Sequence, residues 1–174
     1  MKKIFFSLFC VLCFSVSSQA STWSDHLNSL WESKDYDLMV PANVWHNRLT
    51  YSHEKIRDFN ERPWGIGFGK HYYDEDKDLH SLAAMIFLDS HSDPEPLAGY
   101  QFQKKWYYGD AGDFSLGLGY SMGMTARSDY SWVPFPYVAP IFSLQYKNVS
   151  IENTYIPGGR GYGNILFTWL RIEF

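Results

Sequence analysis

Apolar and polar residues alternate with a period of two along much of this chain. The clearest stretch runs from 114 to 125, where large apolar side chains alternate with small or polar ones. Side chains of a β-strand point to opposite faces in turn, so the pattern predicts a strand with one apolar and one small, polar face. Residues 64–69 repeat the pattern, because Trp64, Ile66 and Phe68 alternate with glycines.

Turn-forming segments divide this pattern into eight predicted strands, at 38–51, 63–73, 79–89, 97–107, 114–126, 134–145, 149–156 and 162–174. An even number of strands places both chain ends on one side, together with the short turns at 74–78, 108–113 and 146–148. The longer connections, at 52–62, 90–96, 127–133 and 157–161, then lie on the other side. The predicted fold is an all-β, antiparallel transmembrane barrel, whose apolar face contacts lipid.

The last predicted strand indicates how the barrel interior is divided. Its inward-facing residues are apolar first and charged near the C-terminus: Ile165, Phe167, Trp169, Arg171 and Glu173. We therefore expect polar groups to close one end of the lumen and apolar groups to line the other. A porin has a wet lumen throughout, whereas an eight-stranded barrel is filled by side chains or holds one slim ligand. The alternating glycines fit either a close-packed wall or space for an elongated ligand.

The first twenty residues have the pattern of a secretory signal peptide. Lys2 and Lys3 precede an apolar stretch over 4–16, and Ser18 and Ala20 suit a cleavage site, so we expect mature protein from Ser21. The apolar stretch is too short for a lasting membrane helix, although a retained anchor is the alternative. Residues 1–20 are thus predicted to direct export and to be removed.

A short amphipathic helix is predicted over 21–35, before a barrel domain over 36–174. Trp23, Leu27, Leu30 and Trp31 have the spacing of one helix face. Such a helix either caps the barrel mouth or lies in the membrane interface with its tryptophans among the headgroups, which we favour.

Composition limits the chemistry that the mature chain can perform. Cys10 and Cys13 both lie in the predicted signal, so the mature chain has no disulfide, thiolate metal site or cysteine nucleophile. Without Lys2 and Lys3 the formal charge changes from −4 to −6. An acidic chain without a basic run argues against nucleic acid as a partner. Aromatic residues make up 19% of the sequence, which suits a protein with membrane interfaces.

His46, Asp89 and Ser90 are the candidate catalytic residues. A hydroxyl needs a base to attack an ester, an imidazole can take that proton near neutral pH, and a carboxylate can orient the imidazole. Asp89 and Ser90 lie at the end of a predicted strand, at a height similar to that of His46 late in the first strand. Such trios also arise by chance, and a histidine inside a barrel is more often a hydrogen-bonded lining residue.

Five sequence segments resemble the lipid A palmitoyltransferase (PagP) family. They are PANVWH at 41–46, NERPWG at 60–65, LGLG at 116–119, MTAR at 124–127 and TYIPG at 154–158. Matching residues extend from about Tyr36 to Phe174, which is almost the whole predicted mature chain.

The resemblance implies an eight-stranded bacterial outer-membrane barrel behind an amphipathic helix, present as a monomer or weak dimer. Such enzymes move a palmitoyl chain from the sn-1 position of a glycerophospholipid to lipid A, without a metal or organic cofactor. The family's catalytic histidine matches His46, and its Asp-Ser pair matches Asp89 and Ser90. Its lipopolysaccharide-contacting lysine in the first outer loop matches Lys55.

Four prolines match the family's prolines beside two lateral openings, one for phospholipid and one for lipid A: Pro41, Pro63, Pro140 and Pro157. A proline gives no N–H to a strand ladder, so the neighbouring strand pair is not closed there. An unpaired backbone group in lipid is costly, so prolines near strand ends indicate intended gaps.

Two positions depart from the family's pattern. Gln101 stands where the family typically has a small glycine at the floor of the acyl pocket, and the predicted alternation turns it inward, with Leu97, Gly99, Gln103 and Lys105. We expect it to shorten the accepted acyl chain by several methylenes. Arg160 stands where relatives often have a tyrosine at the phospholipid gate. We place Met85 with Lys55, Gln101 and Arg160 among the substrate-binding residues.

Three other functions remain alternatives. A phospholipase would give the acyl chain to water, so its activity would not depend on an acceptor. A structural or lipid-binding barrel would keep its role after replacement of His46 or Ser90. A soluble lipocalin-like carrier is disfavoured by the apolar outer face, because soluble proteins expose few such stripes.

Overall fold

Eight antiparallel strands close into a barrel, which confirms the predicted fold. The computed structural model describes residues 23–109, 113–159 and 163–174, so the predicted signal peptide lies outside the described residues. The strands are β1 (Asp35–His46), β2 (Gly65–Tyr73), β3 (Leu79–Leu88), β4 (Pro94–Tyr108), β5 (Phe114–Thr125), β6 (Phe135–Tyr146), β7 (Val149–Ile156) and β8 (Ile165–Glu173). Each pairs with its neighbours in the chain, and β1 pairs with β8.

Helical segments are few and short. Residues 23–32 form a helix, α1, before the barrel; α2 (His53–Arg57) lies in the first long loop, and a 3-10 turn spans Ser128–Tyr130. None of the helices in the described ranges combines the length and apolarity that a membrane crossing requires. The side chain of Trp23 packs against the outer-facing Tyr100, with ring centroids 4.6 Å apart, so α1 lies against the outside of the barrel.

The predicted strand bounds were wrong at β1, β4 and β8; β8 was expected from 162 but begins at Ile165. β1 was expected over 38–51, but it starts at Asp35 and ends at His46. Asn47 ends the strand because its side-chain oxygen accepts the N–H of Leu49 at 2.9 Å, and its carbonyl accepts that of Thr50 at 3.0 Å. β4 begins at Pro94 instead of 97, since its ladder with β3 extends to the Leu88–Pro94 pair.

The outer face of the barrel is apolar, as the alternation predicts. Large exposed side chains occur on strand after strand, for example Phe68 at 58%, Leu118 at 55% and Val138 at 74% exposure. Patches of this size on a soluble protein are exceptional, whereas the lipid-facing side of a membrane barrel requires them.

The lumen has an apolar half and a polar half, again as predicted. The apolar half contains a buried cluster of Met39, Val44, Met85, Phe87, Ile141, Phe167 and Trp169. In the polar half, the fully buried Arg171 donates to Asp37 at 2.9 Å and lies 3.5 Å from a carboxylate oxygen of Glu152. The polar network therefore closes the barrel at the end near the C-terminus.

A β-bulge in β1 determines which way His46 faces. Below the bulge Asp37, Met39 and Pro41 are buried inside the barrel, and strict alternation from them would turn His46 outward. The pairing with β8 shifts between Pro41 and Asn43, so Ala42 is an extra residue. His46 consequently faces the interior and is only 1% exposed.

We predict that Arg171→Met destabilises the barrel strongly. The substitution leaves the buried carboxylates of Asp37 and Glu152 without their cation, which typically costs about 3–5 kcal/mol. Urea unfolding of the protein in detergent micelles measures the change. Lys104→Met is the matched control, because the side chain of Lys104 is 49% exposed and its partner Asp78 still accepts the backbone N–H of Lys105, at 2.9 Å, after the ammonium is removed. Equal, small losses in both variants would contradict the account.

Candidate active site

His46 and Ser90 meet at the rim of the barrel on the side of the long loops. The imidazole Nε2 of His46 lies 2.9 Å from the hydroxyl of Ser90. His46 is the last residue of β1, while Ser90 lies in the turn that follows β3, where the carbonyl of Ser90 accepts the N–H of Asn60 at 2.8 Å. The structure thus brings together two residues that are 44 positions apart and that the sequence could place only at similar heights.

Glu61 holds the other side of the imidazole. Its carboxylate lies 3.0 Å from Nδ1 of His46 and also accepts the backbone N–H of His46 at 3.1 Å. Because a carboxylate only accepts, Nδ1 carries the proton, and Nε2 is then free to accept the hydroxyl proton of Ser90. Along Glu61, His46 and Ser90, the carboxylate accepts from Nδ1 and Nε2 accepts from the hydroxyl. This is the order of donors and acceptors in a catalytic triad.

An arginine keeps Glu61 ionised. Arg48 donates to both carboxylate oxygens, at 2.5 and 2.6 Å. These hydrogen bonds, reinforced by those from His46, lower the pKa of Glu61 to about 2. Glu61 is therefore a carboxylate at any pH at which the imidazole of His46 can act as a base.

Asp89 does not occupy the position expected of it. One of its oxygens accepts the backbone N–H groups of His91 and Asp93, at 2.8 and 3.0 Å, and the other accepts Arg127 at 3.2 Å. Asp89 thus stabilises the turn that carries Ser90, and the orienting contact with His46 is made by Glu61. Sequence reasoning missed Glu61 because no periodicity indicates where a loop side chain points; its only signal was its place in the segment at 60–65.

An apolar cavity of about 230 Å³ occupies the upper lumen. Met85, Phe87 and Phe167 lie in its wall, and Gln101 lies at its polar end, so both Met85 and Gln101 face the lumen, as the alternation predicted for Gln101. Thr125 and Arg127 form the upper end of the cavity lining, within the described residues. Since Arg127 is bonded to Asp89, the mouth of the cavity adjoins the turn that carries Ser90.

Two strand ladders stop short on the side of the candidate active site. The β1–β2 ladder ends at the Met39–Gly67 pair, beside Pro41 and below Pro63. Ladder β6–β7 ends at Ile141–Thr154, just below Pro140 and Pro157. The cavity reaches this second gap, where Val138, Ile156 and Pro157 line it. All four prolines therefore lie where backbone pairing is interrupted.

Lys55 lies on α2 above the site. Its ammonium is 5.6 Å from the ring centre of Tyr51 and 5.8 Å from that of Phe59. Both rings contact His46, with centroid distances of 5.3 and 4.4 Å. The first long loop therefore connects Lys55 to His46 through two aromatic rings. Arg160, the remaining predicted substrate residue, lies outside the described residues.

Two groups of side chains are close enough together to ligate a metal, within the described part of the chain: Asp37, His71 and Glu173, and Asp89, His91 and Asp129. An arginine already donates hydrogen bonds to each group. Arg171 donates to Asp37 at 2.9 Å, and Arg127 donates to Asp89 and Asp129 at 3.2 and 3.1 Å. Both groups are therefore accounted for as ion-pair networks.

Comparisons with known proteins identify the family of this chain. The family model described as antimicrobial peptide resistance and lipid A acylation protein PagP matches residues 26–171. The lipid A acyltransferase PagP of Laribacter hongkongensis is 50% identical over 147 residues, which cover 84% of this chain and 70% of that protein. The protein of the same name from Photorhabdus laumondii is 48% identical over 161 residues, covering 91% and 78%. That from Yersinia enterocolitica is 44% identical over 149 residues, covering 86% and 73%. The chain therefore belongs to the PagP family of lipid A acylation proteins.

Proposed function

We propose that this protein transfers an acyl chain of palmitoyl or similar length from the sn-1 position of a glycerophospholipid to lipid A, in the bacterial outer membrane. Export through the signal peptide at 1–20 belongs to the same proposal. The observation that carries it is the 2.9 Å contact between His46 and Ser90 beside an apolar cavity. Relatives named lipid A acyltransferases support the acceptor.

His46 acts as the general base of the proposed reaction. Its Nε2 takes the hydroxyl proton of Ser90, whose oxygen attacks the ester carbonyl of the donor. The same nitrogen returns the proton to the departing lysophospholipid oxygen, and lipid A then accepts the acyl group by the reverse sequence. In the alternative order, His46 deprotonates the lipid A hydroxyl directly and Ser90 is a polar partner of the transition state. Both orders use the same base.

Glu61 and Asp89 support the two reacting side chains in different ways. Glu61 fixes the tautomer of His46 and stabilises the imidazolium that forms when Nε2 takes the proton. Asp89 shapes the turn of Ser90, and its carboxylate accepts a hydrogen bond of 3.2 Å from Arg127, which is thereby held at the mouth of the cavity.

The two interrupted ladders give the lipids lateral access. The cavity reaches the gap between β6 and β7, so we assign this gap, beside Pro140 and Pro157, to the phospholipid donor. The gap between β1 and β2, beside Pro41 and Pro63, then admits lipid A, with Lys55 above it as a contact for anionic lipopolysaccharide.

Gln101 limits the length of the chain that the cavity holds. A glutamine at the floor takes up space that a glycine would leave to several methylenes. Each methylene that stays outside the apolar cavity loses about 0.8 kcal/mol of favourable transfer free energy, so the preferred chain length depends strongly on the residue at the floor.

We predict that His46→Ala and Ser90→Ala each lower acyl transfer on the order of 10²–10⁴-fold, the usual contribution of acid–base catalysis. The assay uses the purified barrel with phospholipid and lipid A in mixed micelles, and heat-modifiable migration in SDS gels checks folding. His53→Ala, an exposed histidine on α2, is the control and should retain transfer. Full transfer by Ser90→Ala would remove Ser90 from the mechanism. Lysophospholipid without acylated lipid A, in the unaltered protein, would indicate a phospholipase.

We predict that Glu61→Gln lowers kcat about tenfold or more while the KM for phospholipid stays unchanged. The amide can donate to Nδ1 as well as accept from it, so the imidazole loses its fixed tautomer and its counter-charge. Glu54→Gln tests the same substitution at an exposed position of the same loop and should be neutral. A parallel rise in KM, or no change in kcat, would assign Glu61 a purely structural role.

A further inference from the structure

The floor of the cavity is a hydrogen-bonded bridge across the lumen. Gln101 on β4 donates its carboxamide N–H groups to both carboxylate oxygens of Glu152 on β7, each at 3.1 Å. Gln101 is 6% exposed and lines the cavity, whereas Glu152 is fully buried and lies behind it. The Gln101–Glu152 bridge therefore separates the apolar half of the lumen from the polar half.

Glu152 is itself held in place from several sides. Gln103 donates to one of its oxygens at 2.8 Å, and Arg171 lies 3.5 Å away. Ser143, on β6, donates in turn to Gln103. A carboxylate with this many donors has little freedom to move, and its charge strengthens each hydrogen bond.

A glutamine without this partner would not fix the floor. Its side chain has three rotatable bonds, and its carboxamide would lie between an apolar cavity and a polar network. An amide that turns into the apolar space loses its hydrogen bonds, which is costly. With Glu152 present, the carboxamide is drawn away from the cavity and held at one depth.

We propose that Glu152 determines acyl-chain selectivity, as a positioning residue that acts through Gln101 and fixes the depth at which the chain terminus stops. The inference rests on the proposed function and extends it to a residue that does not touch the chain. The length of the accepted chain thus depends on a pair of residues, and the sharpness of selection depends on their hydrogen bonds.

The experiment offers the purified, folded enzyme an equimolar mixture of phospholipids that differ only in sn-1 chain length. Mass spectrometry of the acylated lipid A then gives the product profile. We expect the unaltered protein to select one length, and Glu152→Met, which has no acceptor for Gln101, to lose on the order of tenfold in preference over a chain two methylenes longer. Glu152→Gln retains one acceptor oxygen and should fall between the two.

The Gln101→Gly variant shows whether Glu152 affects chain-length selection through Gln101. Gln101→Gly removes the bridge and should lengthen the preferred chain; in that background Glu152→Met should leave the profile as it is. Gln101→Met is equal in length but cannot donate a hydrogen bond to Glu152, so it should broaden chain-length selection as Glu152→Met does. Because this variant keeps the charge of Glu152, it still tests the inference if Glu152→Met does not fold. Gln145→Met is the matched control, because Gln145 is buried in the polar half and bonds Lys105, away from the cavity.

An unchanged profile in folded Glu152→Met or Gln101→Met would overturn the inference while leaving the acyltransferase intact. Equal broadening by Glu152→Met in both backgrounds would overturn it as well, because Glu152 would then act on the whole barrel and not through Gln101. Absence of any transfer by the unaltered protein would overturn the proposed function, and this inference with it.

Discussion

The need to satisfy every backbone hydrogen bond within the sheet governs this structure. In hydrocarbon an unpaired N–H or carbonyl group costs several kcal/mol, so a strand-built membrane protein must close on itself. Closure of β1 onto β8 meets this requirement. Interruptions of the ladder are then exceptional, and here they coincide with the prolines and with the side of the barrel that bears the candidate site. The bulge at Ala42 belongs to the same group of irregularities, because it turns His46 from the lipid to the interior.

The second governing feature is the division of the lumen by polarity. Arg171 forms ion pairs with Asp37 and Glu152 at one end, where these buried side chains fill the described part of the lumen. The space above it is apolar and ends near a histidine–serine pair. A cavity that is closed below, open toward a lateral gap and bordered at its mouth by the turn that carries Ser90 suits a lipid chain with an ester at one end.

The sequence predicted most of what depends on strict alternation. The strand number, the apolar exterior, the polar closure near Arg171 and the inward position of Gln101 all follow from the period of two, which every regular strand has. The resemblance supplied the pairing of His46 with Ser90, which spacing alone does not establish. Both residues lie at strand ends, where a single-residue irregularity changes the face.

The remaining features depend on loops and irregularities. Glu61 lies in a loop, and its role depends on a backbone turn that no side-chain pattern records. Asp89 was assigned to His46 because both lie at similar height and because the family's Asp-Ser pair matches Asp89 and Ser90, but the turn after β3 directs its carboxylate to backbone amides and to Arg127. The early end of β1 is also caused by a loop, since the side-chain oxygen of Asn47 accepts the backbone N–H of Leu49. The partner of Gln101 was equally hidden, because Glu152 approaches it across the lumen from another strand.

The most direct test of the central claim is mass spectrometry of lipid A from cells with and without this protein, with His46→Ala as the comparison. We predict a gain of one acyl group that disappears in His46→Ala, and the mass of that group reports the length of the chain that the cavity above Gln101 accepts. An unchanged lipid A spectrum, with the barrel folded in the outer membrane, would contradict it.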